Sequence, residues 1–400
     1  MSASGALVAL ALPRPAAARA VVAAWEADEA VLPLDVDAPA PELAAVLAAA
    51  RPTHLVDGDG RRALAGGRPV TDGVAAVVAT SGTGGAPKLV ELGADAIAWS
   101  AGATSRSLDA GPGDRWLCCV PVHGVAGLAV VARAWHTGLP VEVHDRFDPA
   151  AVAAAAGRAT LVSLVATQLR RLLANGDEVA RFRRVLLGGG PVPAALTTEA
   201  ASRGVHLVRT YGLTETFGGM AHDGHPLDGA EVGSDPEGEL LVRGPMLFRR
   251  YRGDPARTAA ALRGGWLHTG DLGRIAADGR LTVLGRRDDL IVSGGVNVHP
   301  DEVEAVLATH PGVAEVAVAG RPDPEWGQRV PAFVVPTDPH HPPTLDELRV
   351  HARERLAAAK APRELTLVPS LPRTASGKLL RRLLPNGEAH VDAGLGRHLP

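Results

Sequence analysis

Short apolar runs alternate with Ala-rich amphipathic stretches along most of the chain, the pattern of α/β layers. The run Val74–Thr80 (Val-Ala-Ala-Val-Val-Ala-Thr) predicts a buried strand feeding a glycine-rich loop, and Ala94–Ser107 predicts a helix after it. Residues 116–120, Leu161–Val165 and 185–187 predict further strands, with a helix over 168–174 between the last two. Gly188-Gly-Gly-Pro191 follows a strand, 192–202 resumes as a helix, and 205–209 is a strand that ends at Thr210-Tyr-Gly-Leu-Thr-Glu215. From Gly229 to Gly285 turn signals recur (Asp235-Pro-Glu-Gly238, Gly264-Gly265, Asp278-Gly279), which predicts a small β-rich subdomain. Gly285-Arg-Arg-Asp-Asp289 is a polar joint before a new α+β unit, with helices over 300–309 and 344–358 and strands over 313–319 and 332–335. Residues 386–400 carry little apolar periodicity and read as a mobile tail. The expected architecture is α/β: a large N-terminal domain (1–287) carrying the β-rich subdomain, and a small α+β C-terminal domain (288–385).

Composition narrows the class without naming a function. Four hundred residues suit two or three domains, and 46% hydrophobic content is ordinary for a globular protein. A net charge of −3 gives no footprint for nucleic acid or an anionic membrane. The longest uncharged stretch, 116–132, is too short for a membrane span and contains Pro121, His123 and two glycines. The apolar residues 6–12 lack a preceding basic residue and run into Pro13-Arg14-Pro15, a poor signal peptide and a better buried strand or lead-in. Cys118 and Cys119 are adjacent, so they form neither a disulfide framework nor a metal spacing. A cytoplasmic protein without membrane insertion is expected.

Lysine is the scarce residue. Only Lys88, Lys360 and Lys378 occur, and two of them close small-residue runs: Ser81-Gly-Thr-Gly-Gly-Ala-Pro-Lys88 and Pro372-Arg-Thr-Ala-Ser-Gly-Lys378. An ammonium on a flexible stem is a point charge suited to a phosphate that moves during a reaction. A strand entering a glycine-rich turn exposes backbone N–H groups that wrap a polyphosphate. Here Gly82 and Gly84 free the backbone, while Thr80, Ser81, Thr83 and Lys88 supply hydroxyls and a cation. The spacing is not that of a Walker loop, and alone the run is equally a flexible turn. Thr210-Tyr-Gly-Leu-Thr-Glu215 puts an aromatic ring, a hydroxyl and a carboxylate at a strand end, where α/β sheets bind ligands. Tyr211, next to Gly212, can stack on a base, Thr214 can donate to a phosphate, and Glu215 can hold magnesium through oxygen. In Trp266-Leu-His-Thr-Gly-Asp-Leu272, Asp271 can accept from two ribose hydroxyls, with Arg286 in reach of the same sugar; a Thr-Gly-Asp turn alone is usually structural.

Taken together these strings resemble the adenylate-forming superfamily of acyl-CoA synthetases, adenylation domains and luciferases. The resemblance runs in one order from about Val74 to Arg382. It implies the adenylate-forming fold, ATP and CoA as co-substrates, Mg2+ as cofactor, and a two-step reaction. An acid is first joined to AMP with loss of pyrophosphate, and a thiol then displaces AMP. It also implies Lys378 as the catalytic lysine of the first step, with Glu215 and Thr214 beside it and Gly189 on the ATP side. Asp288 matches a hinge about which the mobile C-terminal domain turns. Ser293, Gly294 and Gly295 match the face that admits the CoA arm, where a tight β-turn is the plainer reading of the two glycines. A homo-oligomer is implied by the family alone.

Within that superfamily the chain is most similar to the subgroup of o-succinylbenzoate–CoA ligases of menaquinone biosynthesis, in their short form. Leu187-Gly-Gly-Gly-Pro-Val-Pro193, Arg209-Thr-Tyr-Gly-Leu-Thr-Glu-Thr216 and Val122-His-Gly-Val-Ala-Gly-Leu128 ahead of Arg133 carry this similarity, as does the short lead before the glycine loop. It implies Gly188, Arg133 and His123 on the acid side, with Arg133 meeting a second, free carboxylate. A surface arginine on a helix is the plain alternative for Arg133. His123 stands one position before the place where relatives often carry their histidine, which is Gly124 here. A ligase for another aryl or short-chain acid, an amino-acid-loading domain and a non-catalytic adenylate-binding protein remain as alternatives.

Overall fold

The structure is a computed structural model and describes residues 5–80, 87–374 and 379–385. It divides into two compact units: Met1–Val192 with Leu196–Thr269 and Gly273–Thr282, and Val283–Pro400 with Pro193–Ala195 and Gly270–Leu272.

The first unit holds two seven-stranded sheets and a smaller antiparallel one. The centre of the first sheet is parallel, made by Leu7–Leu10, Ala30–Pro33, His54–Asp57 and Val74–Thr80. Leu7–Leu10 and Ala30–Pro33 are buried at every residue, as expected of parallel strands covered on both faces. Within the apolar stretch 6–12, Leu7–Leu10 is thus a buried strand. At one edge Lys88–Gly93 turns back antiparallel on Val74–Thr80, and the two-residue strand Arg250–Tyr251 adds to it.

The second sheet is parallel through Val141–Val143, Trp116–Cys118, Leu161–Val165, Arg184–Gly188 and Leu207–Leu213. Alternation along its strands separates two cores. Trp116, Cys118, Leu161 and Leu186 pack with helix Val125–Thr137, whereas Leu117, Cys119, Val162, Leu164, Val185 and Leu187 pack with Pro149–Ala155 and Ala166–Asn175. The uncharged stretch 116–132 is therefore a buried strand leading into a buried helix, and no helix among the described residues is long and apolar enough to cross a membrane.

The strand expected over 205–209 runs on to Leu213. It carries Tyr211 into an antiparallel ladder with Gly218–His222, with a bulge between Tyr211 and Gly212. The bulge follows from a close approach: a Cβ on Gly212 would lie 1.8 Å from the Gly218 carbonyl oxygen, so only glycine fits.

The second unit packs helices Pro300–Leu307 and Leu345–Arg353 on the sheet Val313–Val318, Pro331–Pro336, Glu364–Leu367. Thr344 and Glu347 form a reciprocal capping box at the start of the later helix. That helix is shorter than the expected 344–358. Leu356 makes a last bond to Ala352, and Ala357 (ψ 144°) swings the chain toward the strand that pairs with Pro331–Pro336.

Candidate active site

The glycine loop connects two antiparallel strands whose ends face each other. Thr80 is the cross-strand partner of Lys88, and its hydroxyl lies 3.4 Å from the Lys88 carbonyl oxygen. The loop is thereby closed at its base. Ser81, Gly82, Thr83 and Gly84 lie outside the described residues, as does Lys378.

Glu215 comes to Lys88 from 127 residues away. Its backbone sits in the turn Thr214–Thr216, which Thr214 opens, between strands Leu207–Leu213 and Gly218–His222. The carboxylate is buried, and one oxygen, Oε1, accepts both from Lys88 Nζ at 2.6 Å and from the Tyr251 hydroxyl at 2.8 Å. Lys88 Nζ also lies 5.1 Å from the centroid of the Tyr251 ring, a cation–π distance. Tyr251 is delivered by its sheet pairing with Val90, and the Phe248 amide of the same segment donates to the Glu215 carbonyl at 2.8 Å. Burial alone would raise the Glu215 carboxyl. The Lys88 charge and the bonds from Lys88 and Tyr251 outweigh it and hold the group below the usual carboxylate range.

The sign of the linkage follows. A depressed carboxyl contributes stability that is present above its unfolded value of about 4.5 and is lost as pH falls below it. In Lys88→Met burial is less opposed and the Glu215 carboxyl rises, so the variant should be least stable relative to wild type near neutrality and should recover relative to it as pH falls. Thermal midpoints across pH 4 to 8 test this, and parallel wild-type and variant curves would refute it.

Tyr211 and Gly212 lie at the bulge, and Gly188 ends strand Arg184–Gly188 with Gly189 next in the chain. Of the acid-side candidates, Gly188 lies on this sheet, Arg133 on helix Val125–Thr137 and His123 in the turn before that helix. Arg133 is not a surface residue: it is 4% exposed, lies 4.9 Å over the Trp116 ring and donates from Nη1 to Ser163 Oγ at 3.1 Å. Burial lowers its pKa to about 10, and its Nε has no partner among the described residues. No ion pair with Arg133 occurs among the described residues, so a cation stands in an apolar core with its charge unanswered. His222 Nε2 and Thr210 Oγ1, cross-strand neighbours, are likewise buried without partners among the described residues. Burial first, and then the Arg133 charge, pushes His222 down to about 4, so it is neutral near pH 7. His123 instead faces Asp35 at 3.5 Å, and burial lowers its pKa despite that carboxylate.

In the second unit Asp271 is buried and receives Arg286 Nη1 at 2.9 Å, so these two are brought together. Asp288 lies within the turn Arg287–Asp289. Ser293, Gly294 and Gly295 form the tip of the hairpin Ile291–Val298, with Ser293 buried. Both glycines have positive φ (58° and 77°), the conformation a two-residue hairpin turn requires. Sequence reading missed Arg381, which is held by Asp289 (3.2 Å), Asp301 (2.5 Å) and Glu304 (2.9 Å). It also missed Tyr251, for which scarcity was the signal, since it is the other of the chain's two tyrosines.

Among the described residues no cluster of three or more His, Cys, Asp or Glu side chains could hold a metal. A lone buried carboxylate beside an ammonium still fits magnesium, which keeps waters and takes most of its other ligands from substrate phosphates.

The family model of the AMP-binding enzymes matches residues 65–252, and that of the AMP-binding enzyme C-terminal domain matches residues 302–378. The chain belongs to the AMP-binding enzyme family, whose adenylate-forming fold joins an α/β N-terminal part to a smaller C-terminal one. Within the family it is similar to a probable 2-succinylbenzoate–CoA ligase of Mycobacterium tuberculosis, 43% identical over 334 residues, which cover 80% of this chain and 86% of that one. Among solved structures, the o-succinylbenzoate CoA synthetase (MenE) of Bacillus subtilis in complex with the acyl-adenylate OSB-AMP superposes with a TM-score of 0.86. It is 31% identical, covering 97% of this chain and 89% of that one. The same enzyme in complex with ATP and a magnesium ion gives 0.84 at 30% identity, covering 96% and 90%.

Proposed function

We propose that this chain activates a carboxylic acid with ATP and passes the acyl group to CoA, and that its acid is 2-succinylbenzoate, an intermediate on the way to menaquinone. One observation carries the chemistry: a buried carboxylate, Glu215, with Lys88 and Tyr251 on one oxygen, beside the loop that Thr80 and Lys88 close. The acid is carried by the named relatives, which are ligases and synthetases for it.

A carboxylate oxygen of the acid attacks the α-phosphorus, and the bond from that phosphorus to the bridging oxygen breaks, releasing pyrophosphate. The CoA thiolate then adds to the acyl carbon, and the carbon–oxygen bond to AMP breaks. Charge builds on phosphoryl oxygens in the first step, so positioned cations and donors lower its barrier. Lys88, the hydroxyls of Thr80, Ser81 and Thr83 and the amides around Gly82 and Gly84 hold the β- and γ-phosphates. Glu215 would hold magnesium, which would supply further charge neutralisation. Thr214 donates to the α-phosphate, Tyr211 and Gly212 with Gly189 frame the adenine, and Asp271 with Arg286 holds the ribose. Lys378 bridges the acid and the α-phosphate. Residues 288–385 turn about Asp288 between the steps, and Ser293, Gly294 and Gly295 then face the CoA arm. Arg133 answers the carboxylate that is not activated, with Gly188 beside the ring and His123 further out.

The test is pyrophosphate release and thioester formation with 2-succinylbenzoate, benzoate, a medium-chain fatty acid and an amino-acid panel. Strong preference for 2-succinylbenzoate is expected. In Arg133→Met, kcat/KM for that acid should fall roughly 10²-fold, since the substrate's second carboxylate would be left unpaired, while benzoate turnover stays near wild type. Preference for another acid would remove the assignment of substrate, and no pyrophosphate with any acid would remove the ligase reading.

A further inference from the structure

We infer that Tyr251 is a positioning residue for Glu215: its hydroxyl holds the carboxylate oriented toward magnesium when Lys88 leaves it for the nucleotide's phosphates. The inference rests on the ligase reading above and adds to it a residue outside every phosphate or ribose contact assigned there.

Three observations carry it. The first is the double occupancy of one oxygen. Lys88 Nζ at 2.6 Å and the Tyr251 hydroxyl at 2.8 Å both bond Glu215 Oε1, and no side chain among the described residues bonds Oε2. The second is the charge of the two donors. An ammonium and a divalent cation repel each other at one carboxylate, so Lys88 and magnesium compete for it. A phenol is neutral and can stay while the metal takes the other oxygen. The third is the rigidity of the tyrosine. Tyr251 is 7% exposed, its ring packs on Phe248 with centroids 4.7 Å apart, and its amide bonds Thr258 Oγ1 at 3.0 Å. Its strand pairs with the one that begins at Lys88, and the Phe248 amide binds the Glu215 backbone. The segment 248–251 thus grips the same glutamate by main chain and by side chain.

The resting ion pair is then a placeholder. Lys88 supplies the charge that a buried carboxylate needs, with the Tyr251 ring 5.1 Å beneath it. When the nucleotide arrives with its metal, the lysine moves along its flexible stem to the phosphates and the carboxylate exchanges one cation for another. Without the phenol, the freed carboxylate has lost both of its side-chain donors and has to be reoriented at the moment of metal binding.

The experiment compares the full chain with Tyr251→Phe, a change that keeps the ring against Phe248. Free Mn2+ is followed by electron paramagnetic resonance as it is titrated into protein saturated with α,β-methylene-ATP. Mn2+ affinity should weaken about tenfold, the effect of one hydrogen bond to a charged acceptor. The Mg2+ concentration for half-maximal pyrophosphate release should rise in step. Thioester formation from supplied acyl-adenylate should fall far less than pyrophosphate release, and the thermal midpoint should drop by no more than the loss of one hydrogen bond. Unchanged Mn2+ affinity would overturn the inference and leave Tyr251 as packing. So would an equal loss in both half-reactions together with a lowered midpoint, which marks a structural role. Should the wild-type chain release no pyrophosphate with any acid, the ligase reading fails, while the Mn2+ comparison still decides the role of Tyr251.

Discussion

Lys378→Ala should lower pyrophosphate release roughly 10²–10³-fold, the range for removing one donor aimed at charge developing in a transition state. Thioester formation from supplied acyl-adenylate should remain within a few-fold of wild type, because the role proposed for Lys378 belongs to the first half-reaction alone. The split between half-reactions is the informative part. A general loss of folding would slow both, and a purely binding role would raise the KM for ATP while leaving kcat unchanged. Single-turnover measurement of each half-reaction separates these outcomes. The described residues on either side of 375–378 are held in place. Arg373 and Leu379 form an antiparallel bridge, the Leu380 amide donates to the Pro372 carbonyl at 2.9 Å, and Arg373 meets Glu315 at 2.6 Å.

Arg381→Met should destabilise the second unit by about 3 kcal/mol, the cost of leaving buried carboxylates without their counter-charge. Arg381 reaches Asp289, Asp301 and Glu304 and also donates to the Val318 carbonyl at 3.1 Å, so one guanidinium answers three acids. Burial already raises the Asp301 carboxyl, with Arg381 opposing it. Without the arginine that rise grows. A raised carboxyl contributes stability that is complete below its unfolded value, about 3.8 for Asp301, and is lost as pH rises through the folded one. The variant should therefore recover relative to wild type as the solution is acidified. Urea unfolding at two pH values reads both effects, and an unchanged midpoint at neutral pH would show that the cluster does not need its cation.

How much of this was legible in the chain varies with the physics involved. Val74–Thr80, Leu161–Val165 and Ala94–Ser107 appear at the bounds read from sequence, because their apolar runs or helical period are interrupted sharply by glycine or polar residues. The helices Arg14–Glu26 and Ala40–Ala50 were not separated out, since alanine-rich stretches present little contrast between faces. The string around Glu215 was readable as a strand end. What the string could not reveal is its partner: Lys88 is distant in sequence, and Tyr251 sits in Arg249-Arg250-Tyr251-Arg252, which reads as a charged turn. Arg133 shows the opposite failure. One arginine on a helix is usually solvated, and only the fold shows that this one points at Ser163 and Trp116.

Arg250 and Tyr251 reach the first sheet only after the whole second sheet has been synthesised. Until then strand Lys88–Gly93 keeps an open edge, and Glu91, 0% exposed in the finished fold, lacks both Arg250 and Arg252 as partners. Pairing across 159 residues is a high-contact-order event, and such events come late and slowly. The closing of that edge is also what seats Tyr251 against Glu215. In a chain made from its N-terminus, Tyr251 therefore cannot seat on Glu215 until the first sheet has received its last strand.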